Sequence, residues 1–410
     1  MNIEDIRNDF VILNTGVIYM DNAATSLTPE PVLDAVMDYY RNYKANVGRG
    51  VHRLTCVASQ KYEEAHRRVA KFIGASPQEI IFTKNTTEGI NTVASGSGLK
   101  KGDKVVVSLW EHHSNLLPWI RAKNKFGIDL EVVKPNAISE DEAKNKCVLE
   151  AADFEDAIDE KTKIVAITHV SNAMGSILPV NEISRLCEEN NALLLVDAAQ
   201  SVPHIPIDVK ELDCDFLAFS GHKMLGPTGT GGLFVKEELI EEIEPLTVGG
   251  GAVEDASFVD YSLKSSYEKF ESGTPNIAGA IGLSAAVEYL ERIGMENIKS
   301  WEEKLAKRLI EGLQEMDKIE VYGYGGEAFE LGKRIGTVSF NVKGKNPNEV
   351  ALRLDNEASI LVRSGHHCSI PLMKYLGLDA EGTVRASLYL YNTEVEVEKF
   401  LEIVEGICGS

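Results

Sequence analysis

Two residues set the chemistry open to this chain: an acid, Asp197, and a lysine, Lys223, 26 positions further on. Asp197 closes the apolar run Leu193-Leu194-Leu195-Val196. Lys223 follows Phe216-Leu217-Ala218-Phe219-Ser220 by way of Gly221 and His222. Each run reads as a buried strand, and open α/β sheets collect their ligands beyond the carboxyl ends of such strands. A lysine for a Schiff base and an acid to keep a pyridine nitrogen protonated are what pyridoxal phosphate needs from its protein. Taken singly, either segment reads equally well as a core strand ending in a surface charge; the pair favours the cofactor.

Thr86-Thr87-Glu88-Gly89-Ile90-Asn91 follows the strand-like Ile80-Ile81-Phe82-Thr83 and starts a helical pattern, so hydroxyls and free N–H groups gather where a phosphate binds well. A plain helix cap is the alternative at Thr86 and Thr87. Ser220 and His222 flank the lysine and complete such a cup, while Gly226 to Gly232 supply tight turns for close backbone approach. A thiol stands apart from these groups. Cys368 follows Arg363, Gly365, His366 and His367, neighbours that favour a thiolate, and Pro371 just after it marks a short loop. Without the rest of the site it would read as an incidental loop cysteine.

The elements that must position these groups alternate. Short β-rich runs (Glu79–Phe82, Lys104–Ser108, Leu130–Val133, Ile164–Ile167, Leu193–Val196, Phe216–Ser220 and Gly232–Val235) are separated by helical patterns such as Ser59–Ile73, Val180–Asn190 and Glu237–Ile243. The pattern predicts an α/β fold, a mainly parallel sheet with helices on both faces. A helix-rich connector over Asn276–Met316 leads to a smaller α+β region with strands at Ile319–Tyr322, Thr337–Asn341 and Val384–Leu388 and helices at Asn348–Glu357 and Val395–Ile407. The expected division is a large domain over 16–285 and a small domain over 286–410, with segment 1–15 packing on the latter.

The chain has 410 residues, 44% hydrophobic and 26% charged, with a formal charge of −21. Its mean hydropathy is −0.12. That composition describes an ordinary globular protein. The negative balance argues against non-specific nucleic-acid binding, which needs cations to displace counterions. No run approaches the roughly 20 apolar residues of a membrane span, and Met1-Asn2-Ile3-Glu4-Asp5 has no secretory character, so a cytoplasmic location is expected. The six cysteines show no metal-ligand spacing and fit free thiols in a reducing compartment. Cys187 and Cys214 read as packed core thiols and Cys408 as exposed; Cys56 and Cys147 give no signal. His52, His169 and His204 read first as structural groups, and no histidine spacing suggests a metal.

Several motifs resemble the fold-type I pyridoxal-phosphate enzymes of the class V aminotransferase group. Ser220-Gly221-His222-Lys223 and Asp197-Ala198-Ala199-Gln200 carry the likeness. Asp21-Asn22-Ala23-Ala24-Thr25, Asn46-Val47-Gly48-Arg49-Gly50-Val51-His52, Glu111-His112-His113-Ser114-Asn115, His169-Val170-Ser171-Asn172, Phe270 to Asn276 and Arg363-Ser364-Gly365-His366-His367-Cys368 narrow it. Together they resemble cysteine desulfurases of the group II sulfur-mobilisation type, which includes selenocysteine lyases, from Ile6 almost to the C-terminus.

The resemblance implies a role for each residue. Lys223 carries the cofactor, Asp197 pairs with its ring nitrogen and His112 stacks on the ring. Asn172 and Gln200 face the ring oxygen, and Thr86, Thr87, Ser220 and His222 hold the phosphate. Thr274 reaches the phosphate of a neighbouring subunit, which implies a homodimer. Arg385 clamps the substrate carboxylate, with Asn22, Ala24, His52 and Arg363 on the substrate side. Cys368 takes sulfur from L-cysteine as a persulfide and leaves alanine. The short loop after Cys368 implies a sulfur-acceptor protein and a route toward iron–sulfur cluster assembly. Gly249-Gly250-Gly251-Ala252-Val253 departs from the group's usual Glu-Met at its last two positions. Selenocysteine lysis, cysteine sulfinate desulfination or class V transamination would keep the fold and change the chemistry.

Overall fold

A computed structural model of the chain describes residues 2–48, 50–135, 147–378 and 380–409. The chain opens with the helix Ile3–Asn8 and a two-residue strand, β1 (Ile18–Tyr19). It then lays down β2 (Ile80–Thr83), β3 (Lys104–Ser108), β4 (Asp129–Val133), β5 (Thr162–Thr168), β6 (Leu193–Asp197), β7 (Phe216–Ser220) and β8 (Gly231–Val235). These last seven form one sheet in the order β2-β8-β7-β6-β5-β3-β4. The run from β7 to β4 is parallel, and β8 pairs antiparallel with both β7 and β2.

The unbroken apolar runs of β6 and β7 have a physical reason. Successive side chains point to opposite faces, so Leu217 and Phe219 enter one core with Leu194 and Val196, while Phe216 and Ala218 enter the other with Leu195. A sheet covered on both faces leaves no position for a polar residue until the strand ends. Asp197 and Ser220 are those ends.

A hairpin of β9 (Val253–Ala256) and β10 (Tyr261–Leu263) follows. A four-stranded antiparallel sheet, β11 (Ile319–Tyr322), β12 (Thr337–Val342), β15 (Thr383–Ser387) and β14 (Arg363–Gly365), then packs with the helices Met295–Gln314, Pro347–Ala358 and Glu394–Gly409 over a separate core containing Phe340, Leu309 and Phe400. β13 (Ile360–Leu361) pairs in parallel with β1. Residues 18 and 19, counted with the large unit from sequence, thus extend the second one. The N-terminal segment joins both regions: Phe10 lies 6.1 Å from Tyr289 and 4.7 Å from Tyr391 between ring centroids, and Arg7 pairs with Glu396 at 2.8 Å.

Two helical expectations are corrected. Glu237–Ile243 forms only a 3-10 turn over Glu237–Leu239, although Ile240 and Ile243 are buried as the pattern asks. The segment is too short to sustain a helix alone, and Pro245 follows at once. The Asn276–Met316 connector is two helices, Ile277–Ile293 and Met295–Gln314, divided by Gly294 at φ +88°. Cys147, Cys187 and Cys214 are buried, Cys56 and Cys368 exposed, and Cys408 half-buried. Among the described residues no helix is long and apolar enough to cross a membrane.

Candidate active site

The carboxyl ends of β5, β6 and β7 open into a cavity of about 340 Å³ that also takes residues from the small sheet. Thirteen of the expected site residues line it: Ala24, Thr86, Thr87, His112, Asn172, Asp197, Gln200, Ser220, His222, Lys223, Arg363, Cys368 and Arg385.

At its base, Asp197 Oδ1 accepts the Ala199 N–H at 3.0 Å, and burial raises this carboxyl while Lys223 opposes the rise. Burial lowers Lys223 to about 8, with Asp197 acting against it. His112 caps the helix His113–Phe126: its Nδ1 accepts the Ser114 N–H at 3.0 Å. Burial, then Lys223, drops His112 to about 3, so it is a flat neutral ring at physiological pH. Glu111 beside it is fully buried and accepts from Ser108 Oγ at 2.5 Å, Asn115 Nδ2 at 2.6 Å and Thr168 N at 2.9 Å. That network ties the ends of β3 and β5 to the turn carrying His112.

One wall is a hydroxyl cup at the start of the helix Thr86–Gly96. Ser220 Oγ accepts the Thr86 N–H at 3.0 Å and lies 2.7 Å from Thr86 Oγ1; Thr87 Oγ1 is 2.7 Å from Ser114 Oγ. Gly231, opposite Ser220 in the β7–β8 register, allows this approach, because a Cβ there would meet the Phe219 carbonyl oxygen at 2.5 Å. His222 Nδ1 is 3.3 Å from Thr25 Oγ1, and burial holds His222 near 4. The donor set fits pyridoxal phosphate. A buried lysine faces a buried acid, a flat neutral ring lies beside them, a phosphate-sized cup stands at a helix N-terminus, and Gln200 Oε1 is buried without a partner.

The opposite wall carries Arg385 and Cys368. Arg385 is buried. Its Nη1 donates to the Asn172 carbonyl at 3.0 Å and its Nη2 to Asp21 Oδ1 at 3.3 Å, while its Nε has no partner. Burial lowers it to about 10, so it stays charged at neutral pH. His367 and Cys368 both adopt left-handed backbone, φ +51° and +56°, a conformation costing about 1–2 kcal/mol per non-glycine residue. Neighbours hold it. Asn172 Nδ2 donates to the His367 carbonyl at 2.8 Å, Ser369 Oγ donates to Asn172 Oδ1 at 3.3 Å, and the His113 N–H donates to the Cys368 carbonyl at 2.8 Å. Beneath the loop, His367 Nε2 lies 2.8 Å from Thr383 Oγ1. The result is an exposed thiol on a braced loop at the cavity mouth.

Three expected residues are placed elsewhere. Asn22 spends its amide between the domains, donating to Ser387 O at 2.7 Å and accepting from the Tyr391 hydroxyl; its neighbours Ala23 and Ala24 line the cavity instead. His52 caps the helix Arg53–Phe72 through Thr55, and its neighbour Arg49 lies outside the described residues. Thr274 lines a second concavity of about 550 Å³ with Tyr62, Glu271 and Lys84. Among the lone histidines, His204 pairs with Glu302 at 2.8 Å and His169 is buried. Asp21, Glu111, His113 and Ser114 were legible only as members of motifs, since nothing in their local pattern marks which neighbour they serve.

The signature of the aminotransferase class-V family matches residues 18–400. The chain is 50% identical over 410 residues to a probable cysteine desulfurase of Pyrococcus abyssi, covering 99% of this chain and 98% of that one. It superposes on the apo structure of a cysteine desulfurase from Thermococcus onnurineus with a TM-score of 0.92 and 48% identity, covering 99% and 98% of the two chains. A cysteine desulfurase from Escherichia coli, in its S-sulfonic acid form, matches with a TM-score of 0.88 and 32% identity over 99% and 98%.

Proposed function

The chain belongs to the class-V aminotransferase family of pyridoxal-phosphate enzymes, and we propose that its reaction is the desulfuration of L-cysteine to L-alanine with the sulfur retained on Cys368. The observation that carries this reading is the meeting, in one cavity, of a buried Lys223–Asp197 pair, a buried Arg385 and an exposed thiol on a braced loop. Transamination has no use for that thiol.

Bound in the cavity, pyridoxal phosphate supplies an electron sink for the carbon beside the substrate amine. Lys223 holds it, and the Lys223 Nζ, lowered to about 8, is matched to take and return a proton near neutral pH. Asp197 would pair with the ring nitrogen, where its buried negative charge would favour the protonated ring. His112, neutral, would stack on the ring. Arg385 orients the substrate by its carboxylate. The Cys368 thiolate attacks the substrate sulfur; an S–S bond forms as the C–S bond breaks, the bonding pair stays with carbon, and that carbon takes a proton to leave as alanine.

Exposure of Cys368 and the short loop around it support delivery of the persulfide sulfur to a second protein, on the way to iron–sulfur cluster assembly in the cytoplasm. Location of Thr274 outside its own chain's cavity supports a homodimer in which it serves the partner's site. The experiment is alanine and sulfide release from L-cysteine under reductant, wild type beside Cys368→Ala, with bound cofactor confirmed by absorbance. Loss of both products in the variant is expected. Release that persists without the thiol, or occurs only with selenocysteine or cysteine sulfinate, overturns the reading.

A further inference from the structure

The loop that carries Cys368 is gripped at alternate residues from beyond the carboxyl ends of the large sheet. Asn172, after β5, takes two of them: its Nδ2 donates to the His367 carbonyl at 2.8 Å and its Oδ1 accepts from Ser369 Oγ at 3.3 Å. His113, after β3, takes the other two. Its backbone N–H donates to the Cys368 carbonyl at 2.8 Å, and its ring Nε2 accepts the Ile370 N–H at 3.2 Å. Ile370 opens the short helix Ile370–Tyr375, so its N–H has no partner within that helix. His113 does not line the cavity, whereas His112 beside it does. The two rings, 6.3 Å apart between centroids and inclined at 52°, thus serve different places, one the cavity and the other the thiol loop. The ring-to-loop bond also fixes a protonation state. An Nε2 that accepts a hydrogen bond keeps its lone pair, so the proton of the neutral ring sits on Nδ1, and an imidazolium cannot make the contact.

We propose that His113 is a positioning residue for persulfide formation: its neutral ring holds the loop just beyond Cys368 and so keeps the thiol in place beside the cavity that His112 lines. The role of the thiol rests on the desulfurase reading. Cys368 needs holding because its own backbone is left-handed, φ +56°, a conformation that a non-glycine residue keeps only when its surroundings impose it. A small displacement of a reacting group costs rate far more than it costs binding. The ring touches no reacting atom, so its loss slows the attack on the substrate sulfur and leaves substrate affinity alone. The ionisable groups around it are His366 after β14, His112 on its own turn and the Cys368 thiol. Burial, then His366, lowers His113 below the ordinary histidine value. The ring is therefore neutral and accepting at physiological pH, and it lets go as pH falls through its pKa.

The test compares two variants of the cofactor-loaded enzyme. His113→Phe removes the acceptor; His113→Gln offers an amide oxygen in its place that does not titrate. Single-turnover persulfide formation on Cys368 falls about three- to tenfold in His113→Phe, the worth of one neutral hydrogen bond, with cysteine affinity, read from the cofactor absorbance, unchanged. His113→Gln recovers most of the rate at neutral pH. As pH falls below the ordinary histidine value, the ratio of His113→Gln to wild type rises, because the thiol titrates alike in both and only wild type loses its acceptor. Hydrogen exchange of the peptide spanning 366–375, followed by mass spectrometry, gains a fast amide in His113→Phe and none in His113→Gln. Should His113→Phe misfold by circular dichroism, His113→Leu carries the same expectation. A wild-type rate or unchanged exchange without the acceptor, a glutamine variant equally slow, or a ratio flat with pH overturns the proposal. Because exchange needs no turnover, it reports the grip on the loop whether or not wild type makes alanine from cysteine.

Discussion

Replacing Arg385 by lysine separates the charge of this residue from its shape. The arginine already donates to the Asn172 carbonyl and to Asp21, and keeps a buried Nε without a partner. A lysine in its place brings three donors on one atom, and two of those existing acceptors compete with the substrate for them. One charge-assisted hydrogen bond to the substrate carboxylate is lost, about 1.5–3 kcal/mol, or roughly 10- to 150-fold in kcat/KM. The loss falls mainly on KM, because the carboxylate is bound alike before and during reaction. A pH dependence adds to it. Burial leaves Arg385 at about 10, charged across the working range, whereas a lysine ammonium starts from a lower ordinary value and the same burial lowers it further. A cation loses its charge as pH rises through its pKa. The ratio of variant to wild-type KM therefore grows as pH rises from neutral, and taking the ratio cancels the titration of cysteine itself. Steady-state alanine formation over that range is the assay. A variant within threefold of wild type, or a ratio flat with pH, would refute the placement of the substrate carboxylate on this residue.

Thr383→Val leaves the cavity lining intact but strips His367 of its partner at 2.8 Å, with His367 Nδ1 already unpartnered. Leaving the buried ring unpaired costs about 1–3 kcal/mol in a loop that carries strain. The expected result is a several-fold drop in single-turnover persulfide formation with cysteine affinity unchanged; an unaltered rate would show that the loop holds without it. Glu302→Ala strands His204, a pair buried at 2.8 Å between the segment after β6 and the helix Met295–Gln314. Leaving the buried ring without its partner costs about 1–3 kcal/mol, read as a lower urea midpoint, and a change well under 1 kcal/mol would mean that the pair contributes little.

The sequence made β6 and β7 readable because both faces of the central sheet are covered, so apolar character is continuous and the first polar residue marks the site. The same logic fails at β1, β13 and β14. Strands of two or three residues, one of them Arg363-Ser364-Gly365, carry no periodicity, yet they deliver Asp21 and Arg363. His52 and Asn22 were assigned by motif membership, and the chain uses both for local capping and interdomain bonding. Motif membership likewise concealed Glu111 and His113, whose roles depend on Thr168 and Cys368, residues distant in sequence. Glu237–Ile243 shows the opposite failure, a helical burial pattern satisfied by a single turn.

The pairing of β1 with β13 joins Ile18 to Ile360, so β1 must wait for a partner made much later at the ribosome. At about 5–20 residues per second, roughly 20–70 s separate the emergence of the two strands. During that interval Met20, destined for the core of the second sheet, has nothing to cover it, and Asp21 has neither Arg363 nor Arg385 to pair with. The nascent large domain has all seven strands of its own sheet, but Arg385 and Cys368 are still to be made. Release of sulfur through Cys368 therefore waits on residues added after that sheet is complete.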